Sequence, residues 1–134
     1  MTYVLDASSL LRFLDDEAGA GRIEDLLNKA RLGGNALLLS AIDWGVVVYI
    51  LARAHGPEKA RPVVDSLASL PLKIVSVDAS HAEEAAWFKE QFKVPYADAF
   101  AGALARREKL TLVTADYDFK SVGTAIKVEF LPAK

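Results

Sequence analysis

Short apolar runs alternate along this chain with stretches whose apolar residues recur every three or four positions. Residues 2–6 read as a short buried strand ending in Asp6, and Leu37-Leu38-Leu39 as a second. Residues 73–77, 110–113 and 126–130 supply three more. The intervening pattern is helical. Ser8 or Ser9 is expected to open a short helix through Leu10, Leu11, Phe13 and Leu14, which Gly19 and Gly21 interrupt. Ile23, Leu26, Leu27 and Ala30 predict a helix over 21–32, stopped at Gly33-Gly34. Ser40 reads as the N-cap of a helix reaching about Ala54, with Asp43 closing the cap at the third helical position. Gly56-Pro57 punctuates, and a further helix runs to about Leu70. Ser80-His81-Ala82-Glu83 predicts a capping box for the helix bearing Ala86, Trp87 and Phe92, while Pro95 opens a helix over 96–108.

Strands alternating with helices imply an α/β fold: a central parallel, twisted sheet flanked by helices. No repeat, linker or low-complexity tract divides the chain, so 1–134 is expected to form one domain.

Composition narrows the function by exclusion. The sequence has 134 residues, 52% of them hydrophobic, which is ample for a core. No apolar run approaches the roughly 18 to 20 residues of a membrane span. The first strand starts at residue 2 or 3, leaving no room for a cleavable leader, so a cytoplasmic protein is the expectation. With no cysteine, disulfides, zinc-thiolate sites and thiol nucleophiles are excluded. A formal charge of −2 argues against holding nucleic acid by bulk positive charge. It leaves a nuclease open, because divalent ions at an acidic centre would bridge to phosphate.

Candidate chemistry lies in four carboxylates. Asp6, Asp98, Asp116 and Asp118 each fall at or after a strand end, or in the first turn of a helix. In an open α/β sheet such positions converge on one crevice. Carboxylates gathered there repel one another unless a hard cation joins them, and Mg²⁺ or Mn²⁺ prefers oxygen ligands. Hydrolysis of a phosphodiester by metal-activated water is the reaction this constellation suits. Each residue also has a plainer reading: Asp6 and Asp98 as helix-start charges, Asp116 and Asp118 as turn residues. Asp78 reads as a turn or cap residue, and neither His55 nor His81 has ligand spacing. Trp44 and Trp87 read as core or dimer anchors. Arg12, Arg53, Lys59, Arg61, Arg106, Arg107 and Lys120 are basic candidates that read equally as solvated faces. Of these Arg12, about six residues after Asp6, is the one placed to point toward the crevice.

Asp6 within Asp6-Ala7-Ser8-Ser9-Leu10-Leu11, Ser40 followed by Ile42-Asp43-Trp44-Gly45, Ala97-Asp98-Ala99, and Thr114-Ala115-Asp116-Tyr117-Asp118-Phe119 together resemble the PIN domain. The likeness is strongest to its VapC-type toxins. It spans essentially the whole chain in order and spacing. The resemblance implies a Mg²⁺- or Mn²⁺-dependent endoribonuclease that is homodimeric and inhibited by a VapB-type antitoxin. Asp6, Asp98 and Asp116 match the family's metal ligands, and Asp118 an acidic position many members carry. Ser8 and Thr114 fall where polar residues support the site.

One position departs from that pattern. These toxins commonly carry a glutamate just after the Trp-Gly of the third helix, where this chain has Val46. Valine neither binds a metal nor orients water. Asp43, one turn earlier and roughly 5 Å away along the helix, is the nearest carboxylate. Two expectations therefore stand together: an acidic-cluster endoribonuclease, and a catalytically inactive PIN domain serving as a homodimeric antitoxin-binding module. Val47, Val48 and Ile50 exceed what one buried helical face needs, which marks 41–70 for partner contacts.

Overall fold

A computed structural model describes all residues, 1–134. Five strands form one parallel sheet: β1 (Thr2–Leu5), β2 (Ala36–Ser40), β3 (Lys73–Val75), β4 (Thr111–Thr114) and β5 (Val128–Phe130), in the order β3-β2-β1-β4-β5. Six helices connect them: α1 (Ala7–Leu14), α2 (Ala20–Arg31), α3 (Ala41–His55), α4 (Pro57–Leu67), α5 (Ala79–Phe92) and α6 (Tyr96–Glu108). A 3-10 turn, Tyr117–Val122, follows β4 where a plain turn was expected. The anticipated α/β architecture is present, with most boundaries displaced by one to three residues. No helix is long and apolar enough to cross a membrane.

The two-residue period of the strands divides the core between the two faces of the sheet. Leu5, Leu37, Leu39 and Val113 pack with α1 to α4 on one face. Val4 and Leu112 point the other way, toward Phe88, Phe100 and Leu104 of α5 and α6. The interior of this second layer is tight. A Cβ built on Gly102 would lie 2.4 Å from the Phe88 ring, so only glycine lets α6 seat against α5. That seat fixes the position of everything α6 carries.

The order of the strands locates the crevice. From β1 the chain steps to β2 and β3 on one side, then returns to β4 on the other side of β1. The reversal makes β1 and β4 the topological switch point, and α/β folds place their ligand sites beyond the carboxyl ends of such strands.

Several local expectations are corrected. α1 is opened not by Ser8 or Ser9 but by Asp6, whose side chain accepts from the Ser9 N–H while Ser9 Oγ reaches back to the Asp6 N–H. The box at α5 is likewise set by Asp78 with His81, not by Ser80 with Glu83. In both cases the aspartate ending the extended segment reaches the third amide first. Val47 is fully buried among the α1–α4 core residues, because α3 lies on the sheet and has no spare face there. Tyr49 and Ile50 are the exposed apolar residues of that stretch. Trp87 is 64% exposed and is not a core residue, whereas Trp44 is partly buried against the core.

Candidate metal centre

Three helix N-termini meet at the switch point, and each brings a carboxylate. Asp6 is the N-cap of α1; Asp43 and Asp98 occupy the third helical positions of α3 and α6. Positive helix-dipole ends therefore gather around the acids and offset part of their mutual repulsion. Asp116 follows β4 and caps the 3-10 turn, its carboxylate accepting from the Asp118 N–H at 2.9 Å.

Asp6 is buried and its carboxylate is held from two elements. Oδ1 accepts from the Ser9 N–H at 2.9 Å and the Ser8 hydroxyl at 2.8 Å, and Oδ2 accepts from the Thr114 hydroxyl. Thr114 Oγ1 in turn accepts the Asp116 N–H at 2.9 Å, and Ser8 Oγ accepts the Ala115 N–H at 2.9 Å. The two hydroxyls thus tie β4 to the start of α1 through Asp6. Burial raises the Asp6 pKa above its ordinary value, with the hydrogen bonds from Thr114, Ser9 and Ser8 opposing it.

Asp98, Asp116 and Asp118 form the more exposed side of the centre. One oxygen from each lies within 4.8 Å of the others, Asp98 and Asp116 half-buried and Asp118 exposed. Burial, followed by the hydrogen bond to Asp116 and the charges of Asp116, Asp6 and Asp118, pushes Asp98 up to about 8. None of the molecule's salt bridges involves Asp6, Asp43, Asp98, Asp116 or Asp118. Oxygen donors converging without a cationic side chain are the donor set a hard divalent ion takes. Residues and group fit.

Asp43 is the residue that motif reading misplaced. It does not close the Ser40 cap: Ser40 Oγ accepts from the Ile42 N–H alone. Asp43 is instead buried, and its Oδ1 accepts from the Ala7 N–H at 3.0 Å, across 36 residues of sequence. Ala7 is the first residue of α1, so its amide has no intrahelical acceptor, and Asp43 supplies one. Burial, then the charge of Asp6, raises the Asp43 pKa; the Ala7 N–H opposes that, and Asp98 adds to it. The helical spacing carried the clue, since position 43 shares a face with buried Val47.

Arg12, by contrast, does not point to the crevice. It is buried, and one guanidinium nitrogen donates to the Ala18 and Pro132 carbonyls at 2.6 and 2.7 Å, locking the chain end over α1. Val46 is partly buried against the core cluster on the α1–α4 face.

A parallel sheet of this order with carboxylates gathered at its switch point is an α/β domain whose acids lie where such folds place their ligand sites. The PIN domain family model matches residues 3–125, and the chain belongs to that family. Solved structures of the same fold include VapBC2 from Rickettsia felis bound to a DNA fragment from its promoter. The identity is 18%, over 98% of this chain and 100% of that one, with a TM-score of 0.76. VapC20 of Mycobacterium tuberculosis, a toxin that cleaves the sarcin-ricin loop, is 20% identical over 97% and 99% of the two chains, with a TM-score of 0.69. FitAcB from Neisseria gonorrhoeae is 19% identical over 94% and 95%, also with a TM-score of 0.69. No curated protein matches significantly.

Proposed function

We propose that this PIN domain is a cytoplasmic, homodimeric endoribonuclease toxin that depends on Mg²⁺ or Mn²⁺ and is restrained by a VapB-type antitoxin. The observation that carries the nuclease reading is the cluster of carboxylates itself. Asp98, Asp116 and Asp118 bring oxygens within 4.8 Å of one another beside buried Asp6, with no cationic side chain paired to them. Asp6, Asp98 and Asp116 are the metal ligands in this reading, and Asp118 adjusts the outer edge of the site. Bound there, the divalent ion supplies Lewis acidity toward a phosphodiester and its attacking water. The chain's own contribution is positioning. Ser8, Ser9 and Thr114 fix the Asp6 carboxylate, and the seat of α6 at Gly102 fixes Asp98. The antitoxin partner is supported by solved relatives of this fold that are toxin–antitoxin complexes.

Val46 favours a second reading. An apolar residue packed on the core, where VapC-type toxins carry glutamate, suits a catalytically silent domain that dimerises and holds its antitoxin. Cleavage of a structured RNA with Mn²⁺, by this chain and by Val46→Glu side by side, separates the two. Equal cleavage by both, abolished by Asp98→Asn, supports the enzyme. Cleavage by Val46→Glu alone identifies a disarmed scaffold, and silence from both, with antitoxin binding retained, supports the binding module.

A further inference from the structure

Asp43 has one oxygen that the fold explains and one that it does not. Oδ1 accepts the Ala7 N–H, but Oδ2 is buried with no hydrogen-bond partner. The residue is 2% exposed, and the charges of Asp6 and Asp98 act on it. An unpartnered carboxylate oxygen in such a place is costly. A purely structural tie to α1 would be served equally well by asparagine, whose amide oxygen accepts the same N–H. Asparagine would also turn a donor toward the neighbouring acids, whereas aspartate adds negative charge to a crowded centre. A cation shared with those acids would give Oδ2 the partner that the fold does not.

We infer that Asp43 contributes Oδ2 to the divalent-ion site, supplying from the first turn of α3 the carboxylate that position 46 lacks. This rests on the metal-dependent reading above. The two positions lie three residues apart, about one helical turn; Asp43 shares the buried face of α3 with Val47 and Leu51, and Val46 is partly buried beside it. Position 46 packs, partly buried, against the core, while position 43 is held against the start of α1, next to Asp6. The acidic centre thus keeps an α3 carboxylate, moved toward the strand ends.

The test is Mn²⁺ titration by calorimetry into the full chain, Asp43→Asn and Asp98→Asn, with thermal melts of each in the absence of metal. Asp43→Asn retains an acceptor for the Ala7 N–H, so its fold is expected to survive. Its Mn²⁺ affinity is expected to drop by about tenfold or more. Loss of binding in Asp98→Asn with unchanged affinity in Asp43→Asn would overturn the role of Asp43 and leave the wider reading intact. An unaltered chain that binds no Mn²⁺ would overturn both. Should Asp43→Asn fail to fold, anomalous scattering from Mn²⁺-soaked crystals of the unaltered chain decides. An ion roughly 2.1 Å from Asp43 Oδ2 supports the assignment, and an ion beyond the reach of Oδ2 removes it.

Discussion

Asp6 and Asp98 feel each other's charge, but one carboxylate is enclosed by hydrogen-bond donors while the other faces carboxylates. Asp6 receives an amide and two hydroxyl protons, drawn from α1 and from the end of β4. Asp98 has Asp116, Asp6 and Asp118 as its charged neighbours, and no salt bridge relieves it. The difference separates two kinds of order. The Asp6 side is built by folding, because its donors belong to a helix cap and a strand end that form in any case. The Asp98 side is left under electrostatic tension that only protonation or a cation removes. Substitution on the first side should therefore cost stability, and on the second side activity.

The largest expected effect is on the second side. Asp98→Asn, in whichever background cleaves RNA, should lower the cleavage rate by about 10²- to 10³-fold, the scale of losing one preorganised charge-stabilising group. The same substitution should leave the metal-free fold at least as stable, most visibly at pH 8 and above, where Asp98 is otherwise a charge held among like charges. A melting temperature well below that of the unaltered chain would contradict the contrast.

Thr114→Val tests the first side. It removes the donor to Asp6 Oδ2 and the acceptor of the Asp116 N–H while nearly conserving volume. Leaving buried polar groups unpaired costs about 1 to 3 kcal/mol, readable as a shift in the urea midpoint at constant m-value. Ser8→Ala should be milder, about 1 kcal/mol, because the Ser9 amide still donates to Asp6 Oδ1. Equal stability of Thr114→Val and the unaltered chain would mean that Asp6 is not held by folding.

The sequence disclosed the sheet and most of the acids because both follow from local rules. Apolar runs of strand length, separated by amphipathic spacing, are enough to order β1 to β5 and α1 to α6. The aspartates at the ends of those runs were visible as candidates for the same reason, and topology then brought Asp98, Asp116 and Asp118 together. What stayed hidden was which partner a polar side chain selects. Asp43 fits the cap pattern with Ser40, yet the unpaired amide of Ala7 competes for it from another element, and local spacing cannot weigh that. Arg12 looks like a free cation until the carbonyls of Ala18 and Pro132 claim it. Of the two readings open to Asp6, the cap is the one its hydrogen bonds display, since Oδ1 accepts from the Ser9 amide.

The smallest effect, and the most direct readout of the tension around Asp98, is its dependence on pH. Burial and the neighbouring acids raise the Asp98 pKa from 3.8 to about 8, so between those values the folded chain holds a proton that the unfolded chain has released. Stability from this group is complete below pH 4 and is lost as pH rises toward 8. Asp6 and Asp43 act in the same direction. Other carboxylates titrate in the same range, so the informative quantity is the melting temperature of metal-free Asp98→Asn minus that of the unaltered chain. It should grow with pH across that window and then level off. The shift should be only a few degrees, because Asp98 is half-exposed and solvent screens it. Saturating Mn²⁺ should lower the difference at pH 8, and reverse it if the ion binds the unaltered chain alone, since the ion neutralises what the proton otherwise must. A difference that is flat with pH would place Asp98 in contact with solvent rather than with its neighbours, and the contrast with Asp6 would then be one of exposure alone.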